Sequence, residues 1–488
     1  MRSPVTQRVS TGIAGLDEVL HGGLVDRRTY LLTGPPGGGK TTLGWHFLTE
    51  GARRGETVLF LTFGEPRSEL CANAEAAGFS SEGVEFCDMS PSSELFAQIQ
   101  SYDIFSAAEV ELEPTTNRIV ECVGPLKPKR VFIDSMTALR YLAKDAAEYR
   151  RQTLSFLRYL LEQGACILLT SEASVEAPDD DLRFLCDGVI ELAQTERARE
   201  LRVLKFRGSD YRAGAHTLRL SEAGATVFPR LVPASHRRAF QTERLSWGVR
   251  GLDEMSHGGI ERGTITLLTG PSGVGKTTLG VQFMKEAAER GERSTVYTFD
   301  EQAATLLKRC ENVNIPVREM VQHGSLSVVA VEALRFTPDE FANMVRRDVE
   351  DNGTRVVMID SINGYKLSVL GADLGERLHA LCRYLENVGV TVLLINEQQN
   401  ISHFRLTDVG VSYLADNVVY LRYVEQRSNG HAVMGRVVGV LKKRLSDFEK
   451  TLHEFEVTAE GLRIGGPVRE LGGIFGSVNE RGGAEVAV

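Results

Sequence analysis

The sequence predicts an α/β protein built from two tandem copies of one domain, each a mostly parallel sheet flanked by helices. Three observations lead there. The chain repeats itself at long range, short β-branched apolar runs alternate with longer amphipathic ones, and each copy holds a glycine-rich loop between a strand run and a helix run.

The repeat comes first. STGIAGLDEVLHGGL at 10–24 is answered by SWGVRGLDEMSHGGI at 246–260, and LLTGPPGGGKTTL at 31–43 by LLTGPSGVGKTTL at 267–279. Lys276 follows Lys40 by 236 residues and Glu301 follows Glu65 by the same interval. Asp360 follows Asp134 by 226 and Arg444 follows Arg207 by 237, so small length changes lie between. A period this long means a duplicated domain, because solenoids repeat every ~20–50 residues. The expected division is a first domain over 1–228, a linker over 229–245 with two prolines, a second domain over 246–466 and a glycine-rich flexible tail over 467–488.

The strand runs of the first copy are 29–33, 57–63, 130–134 and 165–170, with a helical pattern over 149–163. Strands apolar on both sides and separated by helices belong to a buried parallel sheet. Runs at 189–192, 201–206 and 217–220 follow without helices, which predicts an antiparallel extension of the sheet.

Composition bounds the rest. With 488 residues, 42% hydrophobic and 25% charged, the chain suits two or three folded domains. A net charge of −9 disfavours a nonspecific grip on nucleic acid, and the acidic run Asp179–Asp181 adds to that. The seven cysteines form no Cys-x-x-Cys pair and are expected to be buried free thiols of a reducing compartment. No apolar run approaches the ~20 residues of a membrane span, and residues 1–10 lack a signal-like apolar core, so a cytoplasmic location is expected.

Residues Gly34, Gly37, Gly38, Gly39, Lys40, Thr41 and Thr42 fit G-x-x-x-x-G-K-[ST], and so do Gly270, Gly273, Gly275, Lys276, Thr277 and Thr278. Glycines let backbone N–H groups converge on phosphate oxygens without Cβ interference, the lysine brings a mobile charge, and the first threonine hydroxyl ligates Mg²⁺. Helical patterns at 42–50 and 278–290 follow at once. Two Mg-ATP sites are therefore expected.

Three further elements are duplicated. Asp134 and Asp360 each end an apolar strand run and precede a serine. Alone such an Asp is an ordinary turn former; downstream of a phosphate loop, twice over, it is expected to hold Mg²⁺ through water. Glu65 in LFLTFGE and Glu301 in VYTFDE end another strand, where a carboxylate can orient and deprotonate an attacking water. Site one has Gly64 before its Glu; site two has Asp300. Last, Lys205 and Arg207, and likewise Lys442 and Arg444, share one face of a late strand. They are either a solvated strand face or cations offered to a neighbouring subunit's nucleotide.

On these motifs the chain resembles the KaiC family of double-domain RecA-like ATPases, from Ser10 to about Gly466. The paired G-L-D-E…H-G-G openings, both phosphate loops, the I-D-S strand ends, the T-F-x-E turns and Lys205-Phe-Arg-Gly-Ser209 carry the resemblance. Repeat two departs at Lys442-Lys-Arg-Leu-Ser446. The resemblance implies ATP-dependent homohexameric double rings with nucleotide at subunit interfaces, and so a trans role for the Lys/Arg pairs. The family's catalytic turn has two consecutive Glu; Gly64 and Asp300 stand in the first position. The catalytic candidates of the turns are therefore Glu65 in site one and Glu301 with Asp300 in site two, where either carboxylate could act on a serine proton as on water.

The resemblance also implies autophosphorylation by the second domain, in a segment like T-D-x-x-I-S-T. Here it reads Thr407-Asp-Val-Gly-Val-Ser412-Tyr413, so Ser412 is the matching acceptor and Tyr413 replaces a threonine. Two other functions stay open: a DNA motor of the same fold, and a signalling scaffold that binds ATP with little turnover.

Overall fold

The computed structural model describes residues 7–90, 107–141, 143–172, 179–195, 198–371, 373–398, 413–428 and 431–468. The chain divides into two compact units, 1–230 and 231–488. Each unit holds a nine-stranded sheet with the same strand order. In the first, Val84–Asp88, Val58–Thr62, Arg130–Asp134, Cys166–Thr170, Thr29–Thr33 and Gly188–Gln194 lie side by side in parallel. Arg199–Phe206, Ala215–Ser221 and Gly224–Phe228 then continue it antiparallel, as the helix-free end of the repeat predicts. The second unit repeats this from Leu326–Ala330 at one edge to Gly461–Pro467 at the other.

Alternate residues of one strand enter separate cores, which is why these strands read as unbroken apolar runs. Tyr30, Leu32, Phe60, Phe132 and Leu168 pack on one side of the first sheet with Phe47 and Leu48 of the helix Lys40–Arg53. Leu31, Leu59, Val131, Ile133 and Leu169 pack on the other with Tyr149, Leu157 and Leu160 of the helix Ala146–Glu162. Two buried clusters sandwich the second sheet in the same way. The result is two helix–sheet–helix sandwiches, each a mostly parallel α/β unit.

The segment after residue 230 is packed. Leu231 joins a core cluster of the second unit, and the single turn Pro233–Ser235 docks on the helix Leu374–Asn387. There Asn387 donates to the Pro233 carbonyl at 2.8 Å, and the Arg238 N–H donates to the Asn387 carbonyl at 3.0 Å. All seven cysteines are free thiols, five of them buried. Among the described residues no helix is long and apolar enough to cross a membrane.

Candidate nucleotide sites

Both phosphate loops sit at the carboxyl ends of the parallel strands, where ligands of open α/β sheets gather. The loop after Thr29–Thr33 runs into the helix Lys40–Arg53, and the loop after Ile265–Gly270 into Lys276–Glu289. Gly34 and Gly270 are required by close approach. A Cβ on Gly34 would stand 2.4 Å from the Leu192 carbonyl oxygen, and one on Gly270 would stand 2.1 Å from that of Leu421. Gly39 and Gly275 cap the helices at φ of 101° and 114°, a conformation costly for residues with a side chain. Position 274 in site two is a valine buried in the core, where site one has Gly38.

Each lysine folds back onto its own loop. Lys40 Nζ donates to the carbonyls of Gly34 and Pro35 at 2.9 and 3.1 Å; Lys276 does so to Gly270 and Pro271 at 2.8 and 2.7 Å. Burial pulls the Lys276 amine below its usual value against the opposing pull of Glu397 and Asp360.

The threonine hydroxyls meet the strand-ending aspartates. Thr41 Oγ1 donates to Asp134 at 2.7 Å, and Thr277 Oγ1 donates to Asp360 at 2.7 Å. Residues 93 apart in one unit and 83 apart in the other thus reach the same pairing. The aspartate strand is not next to the loop strand. In unit one Cys166–Thr170 lies between them, and Thr170 donates to the other oxygen of Asp134. In unit two Ile395 holds the equivalent place, as the strand registers show, and offers no hydrogen bond. Burial pushes the Asp360 carboxyl above its usual range, only partly offset by Thr277 and nearby Arg309. Both Asp–Ser peptide bonds are cis.

The T-F-x-E turns explain their own threonines. Thr62 donates to the Glu65 carbonyl at 2.7 Å and Thr298 to that of Glu301 at 3.0 Å, which fixes each glutamate past its strand end. The turns are tied to the aspartate strands by Phe63 N–H to Asp134 O and Phe299 N–H to Asp360 O. Beyond that the sites differ. Asn73 reaches the exposed Glu65 carboxylate at 3.4 Å, whereas Arg309 forms an ion pair with Glu301 at 2.7 Å. Ser361, which caps the helix Ile362–Ser368, also donates to Asp300 at 2.8 Å; Gly64 offers no such acceptor in site one.

The late cations divide by residue type. Lys205 Nζ donates to the carbonyls of Arg183, Phe184 and Cys186, and Lys442 Nζ donates to that of Ala415. Both amines are drawn below their usual value by burial and by the arginine two residues on. Arg444 is paired with Asp416 at 2.9 Å. Its counterpart Arg207 is exposed and, among the described residues, has no ion pair or side-chain hydrogen bond.

Sequence reasoning missed Thr170, Asn73, Arg309 and Asp416. Only the duplicated Asp187/Asp416 positions at the ends of the loops offered a trace. It also counted Asp179–Asp181 as surface charge. In the fold Asp179 is 4% exposed and accepts hydrogen bonds from Thr33 and Ser171 at the ends of two neighbouring strands. Ser412 lies outside the described residues; Tyr413 follows it, over half exposed, with its ring edge-on to His379.

The family profile described as "ATPase: KaiC" matches residues 9–232 and again 245–469. The circadian clock protein KaiC3 of Synechocystis sp. is 28% identical over 485 residues, spanning 96% of this chain and 94% of that protein. The circadian clock oscillator protein KaiC of Prochlorococcus marinus is 29% identical, over 94% of this chain and 92% of its own length. That of Synechococcus elongatus is 27% identical, over 94% and 89%. With both units matched nearly end to end, the chain belongs to the KaiC family of ATPases.

Proposed function

We propose that this chain is a tandem ATPase that binds Mg-ATP in both units, hydrolyses it, and assembles into nucleotide-dependent ring oligomers. The observation that carries the reading is the threonine–aspartate pair at 2.7 Å beside a phosphate-loop lysine, formed in both units. These hard oxygen donors suit a magnesium ion, which Thr41 and Thr277 would hold with Asp134 and Asp360 behind them. When bound, that ion neutralises charge on the phosphate oxygens.

The chain's own residues do the rest. Lys40 and Lys276 exchange their loop carbonyls for phosphate oxygens. Glu65 and Glu301, fixed past their strand ends, take a proton from water as its oxygen bonds to the γ-phosphorus. The bond from that phosphorus to the β,γ-bridging oxygen breaks, releasing ADP and phosphate. Arg207, exposed and without an ion pair among the described residues, is the better placed of the two arginines to reach a neighbour's nucleotide, and Lys205 and Lys442 position the loops before the strands.

Two finer assignments rest on the family. The relatives named above are clock proteins, so a signalling or clock-like role is the reading for this one, with a homohexamer as the assembly. Serine autophosphorylation of Ser412 by the second unit belongs to the same reading. Phosphopeptide mass spectrometry after incubation with ATP tests it: phosphate on Ser412, lost in Lys276→Ala, supports it, and an unmodified Ser412 refutes it. Hydrolysis itself is tested by Glu65→Gln with Glu301→Gln. Turnover should fall at least about a hundred-fold, the usual worth of a general base, with nucleotide binding kept. Unchanged turnover would remove these residues from the chemistry.

A further inference from the structure

The two catalytic turns have the same backbone and different partners. In unit one the residue eight positions after Glu65 is Asn73, on the helix Arg67–Ala76, and its amide approaches the carboxylate at 3.4 Å. In unit two the residue eight after Glu301 is Arg309, on the helix Ala303–Glu311, and its guanidinium pairs with the carboxylate at 2.7 Å. Glu301 is 26% exposed and Arg309 41%, so the pair is neither buried nor fully solvated. The same guanidinium is near enough to act electrostatically on the carboxyl of Asp360.

A carboxylate spends its lone pairs once. One that accepts a charged hydrogen bond has its oxygen turned toward the cation and held there. An amide at 3.4 Å imposes no such restraint.

We propose that Arg309 is a positioning residue that holds Glu301 in a self-restrained pose, making hydrolysis in site two wait for that ion pair to open. Site one has no such latch, because Asn73 stands where Arg309 does. The inference rests on the reading of Glu65 and Glu301 as the groups that activate water.

The test uses the full chain with Glu65→Gln, so that turnover reports site two. Arg309→Asn should raise kcat about five-fold with KM for ATP unchanged, the rate equivalent of an ion pair of about 1 kcal/mol. Arg309→Lys should keep the low rate, because the charge remains. In the reverse swap, Asn73→Arg in a Glu301→Gln chain should lower the turnover of site one by a similar factor. Added salt opens a half-exposed pair, so the parent's rate should climb with ionic strength while that of Arg309→Asn stays flat. An Arg309→Asn rate equal to or below its parent's, or equal acceleration by the lysine variant, overturns the proposal. Native turnover in the Glu65→Gln, Glu301→Gln chain would instead bring down the glutamate reading and this inference with it. A dead double variant beside an unresponsive Arg309→Asn brings down the latch alone.

Discussion

The Arg444 guanidinium stands 2.9 Å from the carboxylate of Asp416, and among the described residues the equivalent arginine of the first unit, Arg207, has no such partner. The reason lies 236 residues apart in the repeat. Asp187, which matches Asp416, pairs with Arg28 at 3.1 Å. Thr264 holds the place of Arg28 in unit two, so Asp416 turns to Arg444 instead. One substitution thereby frees Arg207 and occupies Arg444.

The two arginines should therefore fail differently. Arg444→Ala leaves Asp416, whose side chain is 7% exposed, with the Ile265 N–H as its remaining partner. It should cost roughly 1–2 kcal/mol, less than a fully buried pair because Arg444 is half exposed. Arg207→Ala should leave the melting temperature within about a degree and lower ATP turnover of the assembled protein. Thermal melts and steady-state turnover on the two variants check this. A destabilised Arg207→Ala with normal turnover would make Arg207 structural.

Assembly should depend on site one. If neighbouring subunits recognise the nucleotide-bound state, binding free energy is spent on the ring, and removing the loop lysine removes it. Lys40→Ala should remain mostly monomeric in Mg-ATP by light scattering. Rings as abundant as in the native protein would end the shared-site reading.

The first unit should be acid-sensitive through His46. Its Nε2 accepts the Ala225 N–H at 2.8 Å, and burial holds its pKa down at about 4. The native state then excludes a proton that the unfolded chain takes up below its ordinary value of 6.5. Stability should be full above that value and fall as pH drops toward 4, by about 2–3 kcal/mol. Denaturant midpoints at pH 7 and pH 4.5 measure the loss. His46→Gln should flatten the dependence, and an undiminished slope in that variant would assign it elsewhere.

Much of this was legible in the sequence because the informative patterns are contiguous. The phosphate loops, the I-D-S strand ends and the T-F-x-E turns are each under ten residues long, and their duplication removed chance. The antiparallel extension was legible because its strands follow one another without helices. The edge strands Val84–Asp88 and Gly224–Phe228 were not, since the first is only half buried and the second returns after a short hairpin turn. The partners that distinguish the two sites were hidden for another reason. Thr170 reaches Asp134 across 36 residues, Arg444 reaches Asp416 across 28, and Asp179 reaches Thr33 across 146. Such pairings depend on strand register, which no local pattern reports. Arg309 was eight residues from a singled-out glutamate and still unread, because nothing in spacing tells whether a helix turns its side chain back to the preceding loop.

The central claim is that each unit holds its own Mg-ATP site, and the number of nucleotides bound per chain tests it most directly. Equilibrium binding of a nonhydrolysable ATP analogue with Mg²⁺ should saturate at about two per native chain, about one in Lys40→Ala or Lys276→Ala, and none in the double variant. A native chain that binds only one, or a double variant that still binds two, would contradict it.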